Sequence, residues 1–179
     1  MPIENERKFV LKDEKELEAE LARASGVKRS LLRQAYLDVS GLRIRAIAHD
    51  GSERHVFTFK REVAGQVVEI ETDISAVDFE RLWSQRLETL QKTRYSWEDG
   101  RLHWDVDFFK TDEGRTYFAL AEVEMPEEQR EPPPLPKTLA SHLLALAPAG
   151  DQRFTSKRLA DRVHAERLLA DIRAKGRVE

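Results

Sequence analysis

The chain has 179 residues, of which 35% are charged, 40% hydrophobic and 8% aromatic. Its 30 Lys and Arg nearly balance its 33 Asp and Glu, so the net charge is -3 and no overall field favours nucleic acid or a membrane as a partner. The absence of cysteine excludes disulfides, thiolate metal sites and a cysteine nucleophile, and any metal must bind oxygen or imidazole. No apolar run approaches the roughly 18 residues of a transmembrane helix, so we expect a soluble, cytoplasmic protein.

The first half of the chain reads as short strands with one early helix. Asp13 and Glu16 form a capping box, and Leu17 and Leu21 then mark one helical face. Extended runs are predicted at residues 3–11, 34–39, 42–48, 55–61 and 66–73, and turn dipeptides that end in glycine separate the last four of them. This half therefore predicts a helix inserted into antiparallel hairpins.

The second half begins with another capping box, Ser75 with Asp78, ahead of a helical run that includes Phe79 and Trp83. Strands follow at residues 90–97, 102–109 and 116–125, and a proline-rich loop occupies 126–136. Helical patterns at 137–147 and about 157–174 complete a C-terminal part, residues 137–179. We predict one α+β domain, residues 1–179, around a large antiparallel sheet.

Charged residues recur at every second position of these strands. Because strand residues two apart point to the same face, one face of the sheet is heavily ionised and the other is apolar. The same-face sets are Glu4, Glu6 and Lys8; Arg43 and Arg45; Lys60; Glu69 and Glu71; Lys92 and Arg94; Asp105 and Asp107; and Glu122 and Glu124.

Two interpretations of this ionised face remain open from the pattern alone. It can simply meet water, as one face of many antiparallel sheets does. If instead the apolar face packs against the helices, the charges line a barrel interior that must hold water, metal ions and a ligand. Dense carboxylates suit Mg²⁺ or Mn²⁺, and clustered Arg and Lys suit phosphate, so a metal-bound polyphosphate satisfies both.

These motifs, taken in order, resemble a known family. Glu4-x-Glu6-x-Lys8 is followed by Arg43-Ile44-Arg45, Thr58-Phe59-Lys60, Lys92-Thr93-Arg94-Tyr95 and Ala121-Glu122-Val123-Glu124, so the similarity spans a core of residues 3–125. The chain resembles the CYTH superfamily of triphosphate tunnel metalloenzymes, which includes inorganic triphosphatases, thiamine triphosphatases and class IV adenylyl cyclases. The resemblance implies a closed eight-stranded antiparallel β-barrel with a polar interior and helices packed outside.

The resemblance also assigns roles by position. It implies metal ligation by Glu4, Glu6, Asp107, Glu122 and Glu124, and phosphate binding by Lys8, Arg43, Arg45, Lys60, Lys92 and Arg94. Glu69 and Glu71 match a further acidic pair for a second metal or the attacking water, while Asp105 flanks the site. Residues 154–160 look like an altered closing motif in which Lys157 binds phosphate, although an ordinary helix-start residue is the alternative.

The function predicted from this resemblance is Mg²⁺- or Mn²⁺-dependent hydrolysis of the terminal phosphate of a small-molecule triphosphate. Lys92 and Tyr36 are candidates for an acid/base or orienting pair, with packing as the alternative for Tyr36. Two other functions stay open: a class IV adenylyl cyclase making cyclic AMP from ATP, and a non-catalytic polyphosphate- or nucleotide-binding module. We expect no nucleic acid or membrane partner; the oligomeric state is open, with a homodimer as one option.

Overall fold

The structure is a computed structural model that describes residues 5–12, 15–63 and 66–175. Its elements, in chain order, are β1 (Glu6–Leu11), α1 (Lys15–Arg23), β2 (Lys28–Leu37), β3 (Leu42–His49), β4 (Ser52–Val63), β5 (Gln66–Ile74), α2 (Ala76–Trp83), β6 (Arg86–Asp99), β7 (Leu102–Lys110), β8 (Thr116–Glu124), α3 (Lys137–Ala140), β9 (Leu143–Leu146), a short 3₁₀ helix (Gln152–Phe154), α4 (Ser156–Ala160) and α5 (Arg162–Lys175). None of the described helices is both long and apolar enough to cross a membrane.

The strands form one large antiparallel sheet in the order β5-β4-β3-β2-β6-β7-β8-β1-β9. The predicted α+β class is therefore confirmed. Among the described residues the sheet has nine strands instead of the predicted eight, and its order has two ends, β5 and β9. Closure into a barrel consequently stays a prediction, as does the assignment of residues 1–179 to one domain.

The chain divides into two compact units, the first comprising the described residues up to Arg29 and from Thr93 onward. Its core lies between the apolar face of β1, β7 and β8 and the helices α1 and α3, with Trp104 and Phe108 fully buried. Leu17 and Leu21, one helical turn apart on α1, contribute to this core as predicted.

The second unit comprises residues 30–92 and contains β3, β4, β5 and α2. The Asp78 amide donates to the Ser75 hydroxyl over 3.0 Å, which confirms the predicted cap of α2. Phe79 of this helix is fully buried against Ile44 and Ala46, so the apolar face of β3 anchors the helix.

The prediction of one helix over 137–147 is wrong. The helix ends at Ala140, and Leu143–Leu146 instead forms β9 beside β1, with Val10 opposite Ala145. The edge of β1 offers backbone partners that outweigh the helix propensity of Leu and Ala. The C-terminal helical run is also interrupted, because α4 ends before Asp161 and α5 begins at Arg162. The predicted Asp13 cap lies outside the described residues.

Candidate functional site

Carboxylates gather on one face of the first unit. This acidic cluster consists of Glu6, Asp105, Asp107, Glu122 and Glu124. The strand register brings them together, because Glu122 of β8 lies opposite Lys8 of β1 and opposite Asp105 of β7, while Glu124 lies opposite Glu6. Residues directly opposite in an antiparallel pair share a face, so the alternation seen in the sequence becomes a compact patch.

Lys8 is one of two cations embedded in this acidic cluster. Its Nζ lies 2.8 Å from a carboxylate oxygen of Glu122 and 2.8 Å from one of Glu6. Burial alone lowers the pKa of Lys8, but attraction by Glu122 and Glu6 outweighs it, so the pKa lies above its usual value. Lys8 therefore carries a fixed positive charge at physiological pH.

Arg94 of β6 is the second embedded cation. Its Nε and Nη2 donate to the two carboxylate oxygens of Asp107 over 2.7 and 2.6 Å, and its Nη1 donates to Asp105. Its Nη2 also lies 3.7 Å from Glu122. Because Asp107 is only 1% exposed, this bidentate pair holds a buried carboxylate in place. The hydroxyl of Ser96, which also lies on β6, donates a hydrogen bond to Asp105.

The donor set of the acidic cluster fits a hard divalent cation by chemistry and by charge. Five carboxylates face two cations, and an excess of negative charge on carboxylate oxygens suits Mg²⁺ or Mn²⁺. In the part of the chain that the structure describes, no three His, Asp or Glu side chains are already grouped as metal ligands. Glu4, the remaining predicted ligand, lies outside that part.

His103 borders the acidic cluster. Its Nδ1 lies 2.6 Å from Glu98 and its Nε2 3.3 Å from Asp105. Burial lowers the pKa of His103, but the hydrogen bond to Glu98 and the charges of Asp105, Glu98 and Glu124 outweigh that effect and raise it. The ring thus adds positive charge to the rim of the cluster when protonated.

The second unit carries a different cluster on one face of β3, β4 and β5. This basic cluster combines Arg43, Arg45, Arg54 and Lys60 with Glu69, Glu71 and Asp73. Arg43 and Lys60 approach Glu69 at 3.6 and 3.5 Å, and Arg45 pairs with Glu71. The residues predicted to bind phosphate and the further acidic pair therefore lie next to one another. Within the basic cluster, the cations outnumber the carboxylates.

A buried threonine links two members of the basic cluster. Thr58, which is 0% exposed, donates its hydroxyl proton to Glu71 over 3.2 Å and accepts from Arg45 Nη2 at 3.5 Å. Thr58 also lies opposite Arg43 in the register. The buried Nε of Arg43 has no hydrogen-bond partner among the described residues.

Tyr36 of β2 lies opposite Arg43 on the same face. Gln34, which is almost fully buried, donates from Nε2 to the Tyr36 hydroxyl over 2.6 Å. Burial raises the pKa of Tyr36 to about 12, so its phenol is neutral at physiological pH and can donate a hydrogen bond. Lys92 is buried on β6 in this unit, and its pairing with Tyr36 stays a prediction.

Other predicted and missed residues complete this description. Lys157 lies exposed on α4, and its predicted contact with phosphate is untested. The sequence interpretation missed Arg54, although it alternates in phase with Lys60 on β4. It also assigned no role to Thr58, Gln34 or Ser96, because polar uncharged residues on an ionised face carry little signal until their hydrogen bonds are known.

Comparison with known proteins gives the family. A family model described as the CYTH domain matches residues 2–154, and the chain belongs to this family. The predicted resemblance is thus confirmed. No curated protein matches the chain.

Solved structures support the fold. The chain is similar to the inorganic triphosphatase NE1496, with 24% identity and a TM-score of 0.54 over 89% of this chain and 95% of that one. A structure of the hypothetical protein NE1496 has 26% identity and a TM-score of 0.51, covering 88% and 97%. The PH1819 protein of Pyrococcus horikoshii OT3 has 16% identity and a TM-score of 0.51, covering 70% and 80%.

Proposed function

We propose that this chain hydrolyses the terminal phosphate of an inorganic or organic triphosphate with Mg²⁺ or Mn²⁺. The observation that supports this function is that each unit carries a charged cluster of its own on the ionised face of its strands. The first unit presents an excess of carboxylates around Lys8 and Arg94, and the second presents an excess of guanidinium and ammonium groups. A metal-bound triphosphate needs both kinds of group.

Within this proposal the acidic cluster holds the metal. Glu6, Glu122, Glu124 and Asp107 would supply the described ligands and Glu4 a further one; a bound divalent ion would polarise phosphate oxygens. Lys8 already bridges Glu6 and Glu122, so it keeps these two carboxylates close together. Since the pKa values of Lys8 and Arg94 both lie above their usual range, these residues act through charge and not by exchanging protons.

The basic cluster binds the phosphate chain. Arg43, Arg45 and Lys60 are paired with Glu69 and Glu71, so phosphate oxygens would compete with these carboxylates for the same donors. A carboxylate released in this way can orient or deprotonate the attacking water. Tyr36, neutral and held by Gln34, would donate a hydrogen bond to a phosphate oxygen, and Lys92 and Lys157 would add positive charge.

The proposed reaction is tested by measuring phosphate release from tripolyphosphate, ATP and thiamine triphosphate with Mg²⁺ or Mn²⁺. Cyclic AMP is measured in the same ATP reaction. We expect phosphate release without cyclic AMP, and loss of at least about 100-fold in rate for Glu6→Gln, because a metal ligand loses its charge. Glu20→Gln, an exposed carboxylate of α1, is the matched control. Cyclic AMP formation would favour a cyclase, and binding without turnover a non-catalytic module.

A further inference from the structure

Asn5, the residue before β1, is tied by its side chain to the turn that follows β8. Its Nδ2 donates to the Pro126 carbonyl over 2.7 Å and to the Gln129 carbonyl over 2.8 Å. The Gln129 amide donates to the same Pro126 carbonyl over 3.0 Å, so both acceptors belong to one tight turn. Because both partners are acceptors, the side-chain nitrogen and not the oxygen must face the turn, and both of its N–H groups are used.

The backbone of Asn5 continues the pairing of β1 with β8. The Met125 amide donates to the Asn5 carbonyl over 2.9 Å, and Glu6 lies opposite Glu124 at the next position. Asn5 therefore contacts β8 and the turn beyond it through both its main chain and its side chain. These contacts lie directly beside two carboxylates of the acidic cluster.

Arg7 makes a second link on the same face of β1. Residues 5 and 7 alternate with the ionised positions, so Asn5 and Arg7 share the face opposite Glu6. The guanidinium of Arg7 donates from Nη1 to the Glu6 carbonyl over 2.9 Å and from Nη2 to the Arg130 carbonyl over 3.0 Å. The segment 126–130 is thus joined to the beginning of β1 by the side chains of both residues.

Glu6 and Glu124 repel each other at this strand end. Because the pair ahead of them is hydrogen-bonded, they form a non-hydrogen-bonded pair, in which the Cα atoms are about 4.5 Å apart and the side chains are closest. Like charges directly opposite are destabilising. Lys8 offsets Glu6 only in part, since it is shared with Glu122. His103, opposite Glu124 on β7, adds positive charge only when protonated.

We propose that Asn5 is a positioning residue for the proposed metal site. Its side-chain amide holds the beginning of β1 against β8 and keeps Glu6 and Glu124 together before a cation binds. Without this anchor, repulsion parts the two strand ends, and a cation finds its ligands assembled in only a fraction of the molecules, which weakens its apparent affinity. The inference rests on the proposed function as far as the metal is concerned, whereas the effect on the strand ends does not.

Calorimetric titration of the full chain with Mn²⁺ measures the effect on the metal site. Asn5→Leu keeps the size of the side chain but removes both donors, and we expect it to raise the Kd for Mn²⁺ about tenfold or more. Asn5→Ala is the second variant, should Asn5→Leu fail to fold. Ser75→Ala removes the cap of α2 in the second unit, so it controls for a general loss of stability and should leave the Kd unchanged.

Amide hydrogen exchange without metal, followed by NMR, measures the strand ends themselves. We expect the Met125 amide, which donates to Asn5, to exchange about tenfold faster in Asn5→Leu, while the Leu120 amide near the middle of β8 keeps its rate. Adding Glu124→Gln to Asn5→Leu should slow the exchange of Met125 again, because the repulsion between the strand ends falls. A hydrogen bond that only stabilises the fold would not show this rescue.

Two results would overturn the inference. The first is an unchanged Kd in both Asn5 variants when the parent chain binds Mn²⁺. The second is exchange of Met125 in Asn5→Leu that Glu124→Gln does not slow. A parent chain that binds no Mn²⁺ would contradict the proposed function instead, and the exchange experiment would then decide the role of Asn5 alone: rescue by Glu124→Gln would support the anchor, and its absence would refute it.

Discussion

At the level of single residues, the bidentate pair of Arg94 with Asp107 is the most consequential contact of the acidic cluster. Removing Arg94 leaves Asp107, which is 1% exposed, without its guanidinium partner. We expect Arg94→Ala to lower the free energy of unfolding by about 3–5 kcal/mol, because a buried carboxylate loses its bidentate cationic partner. Urea denaturation at pH 7 measures the loss.

An exposed ion pair provides the control for this prediction. Arg81 lies 3.3 Å from Asp78 on α2, and both side chains are more than half exposed. We expect Arg81→Ala to cost less than about 0.5 kcal/mol, since water and salt screen such pairs. Similar losses for Arg94→Ala and Arg81→Ala would show that the buried pair contributes nothing beyond a surface contact.

Tyr36 gives a pH-dependent prediction at the same scale. Burial raises its pKa to about 12 from an ordinary value of about 10, so the folded state holds the proton more tightly than the unfolded state. Its stabilising contribution is complete below pH 10 and is lost as the pH rises towards 12. Between pH 9.5 and 11.5, the free energy of unfolding of Tyr36→Phe should therefore fall less than that of the parent chain. If the two free energies fall in parallel with pH, the burial of a neutral phenol is contradicted.

At the level of elements, the turn between β2 and β3 positions a proposed phosphate ligand. Gly41 has φ of +90°, its carbonyl accepts from the Lys60 amide over 2.8 Å, and a Cβ there would stand 2.6 Å from the Lys60 carbonyl oxygen. We expect Gly41→Ala to lower the free energy of unfolding by about 2–4 kcal/mol, because strain and a backbone clash combine.

Gly51 separates these two effects. It also has a positive φ, +75°, but an added Cβ there meets no atom within 4 Å. Gly51→Ala should therefore lower the free energy of unfolding by only about 1 kcal/mol, because the unfavourable backbone conformation is its only cost. Chemical denaturation of both variants measures the difference between their free energies of unfolding, which reports how closely the turn approaches β4. Equal losses of stability would show that β4 shifts to accept the added Cβ at no cost in free energy.

The elements also show what sequence patterns can and cannot predict. Alternation predicted most strands, and the Ser75 cap predicted α2, because both depend on local spacing. The strand β9 was missed because Leu143–Leu146 carries no alternation, and its conformation depends on the open edge of β1 some 130 residues earlier in the chain. Long-range pairing of this kind leaves no local trace.

For the whole molecule, the sequence predicted which charges share a face, but it did not predict which charges pair. Lys8 and Arg94 were expected to bind phosphate, yet both lie within the acidic cluster and contact carboxylates. Arg43, Arg45 and Lys60 gather in the other unit, where they pair with Glu69 and Glu71. Side-chain contacts across several strands depend on register and rotamers, which alternation does not encode.

This distribution leads to a prediction about metal binding that does not depend on activity. An ion that binds only the folded chain stabilises it by about 2.7 kcal/mol at 100 times its Kd, which for a chain of this length raises the melting temperature by roughly 5–10 °C. Glu122 lies opposite both Lys8 and Asp105, at the centre of the acidic cluster. We expect Mg²⁺ or Mn²⁺ to raise the melting temperature of Glu122→Gln much less than that of the parent chain, whatever the melting temperature of the variant without metal. Glu20→Gln should retain the full increase, and chelation with EDTA should reverse it. An equal increase in both variants would place the metal outside the acidic cluster and remove the basis for the proposed role of Glu6 and Glu122.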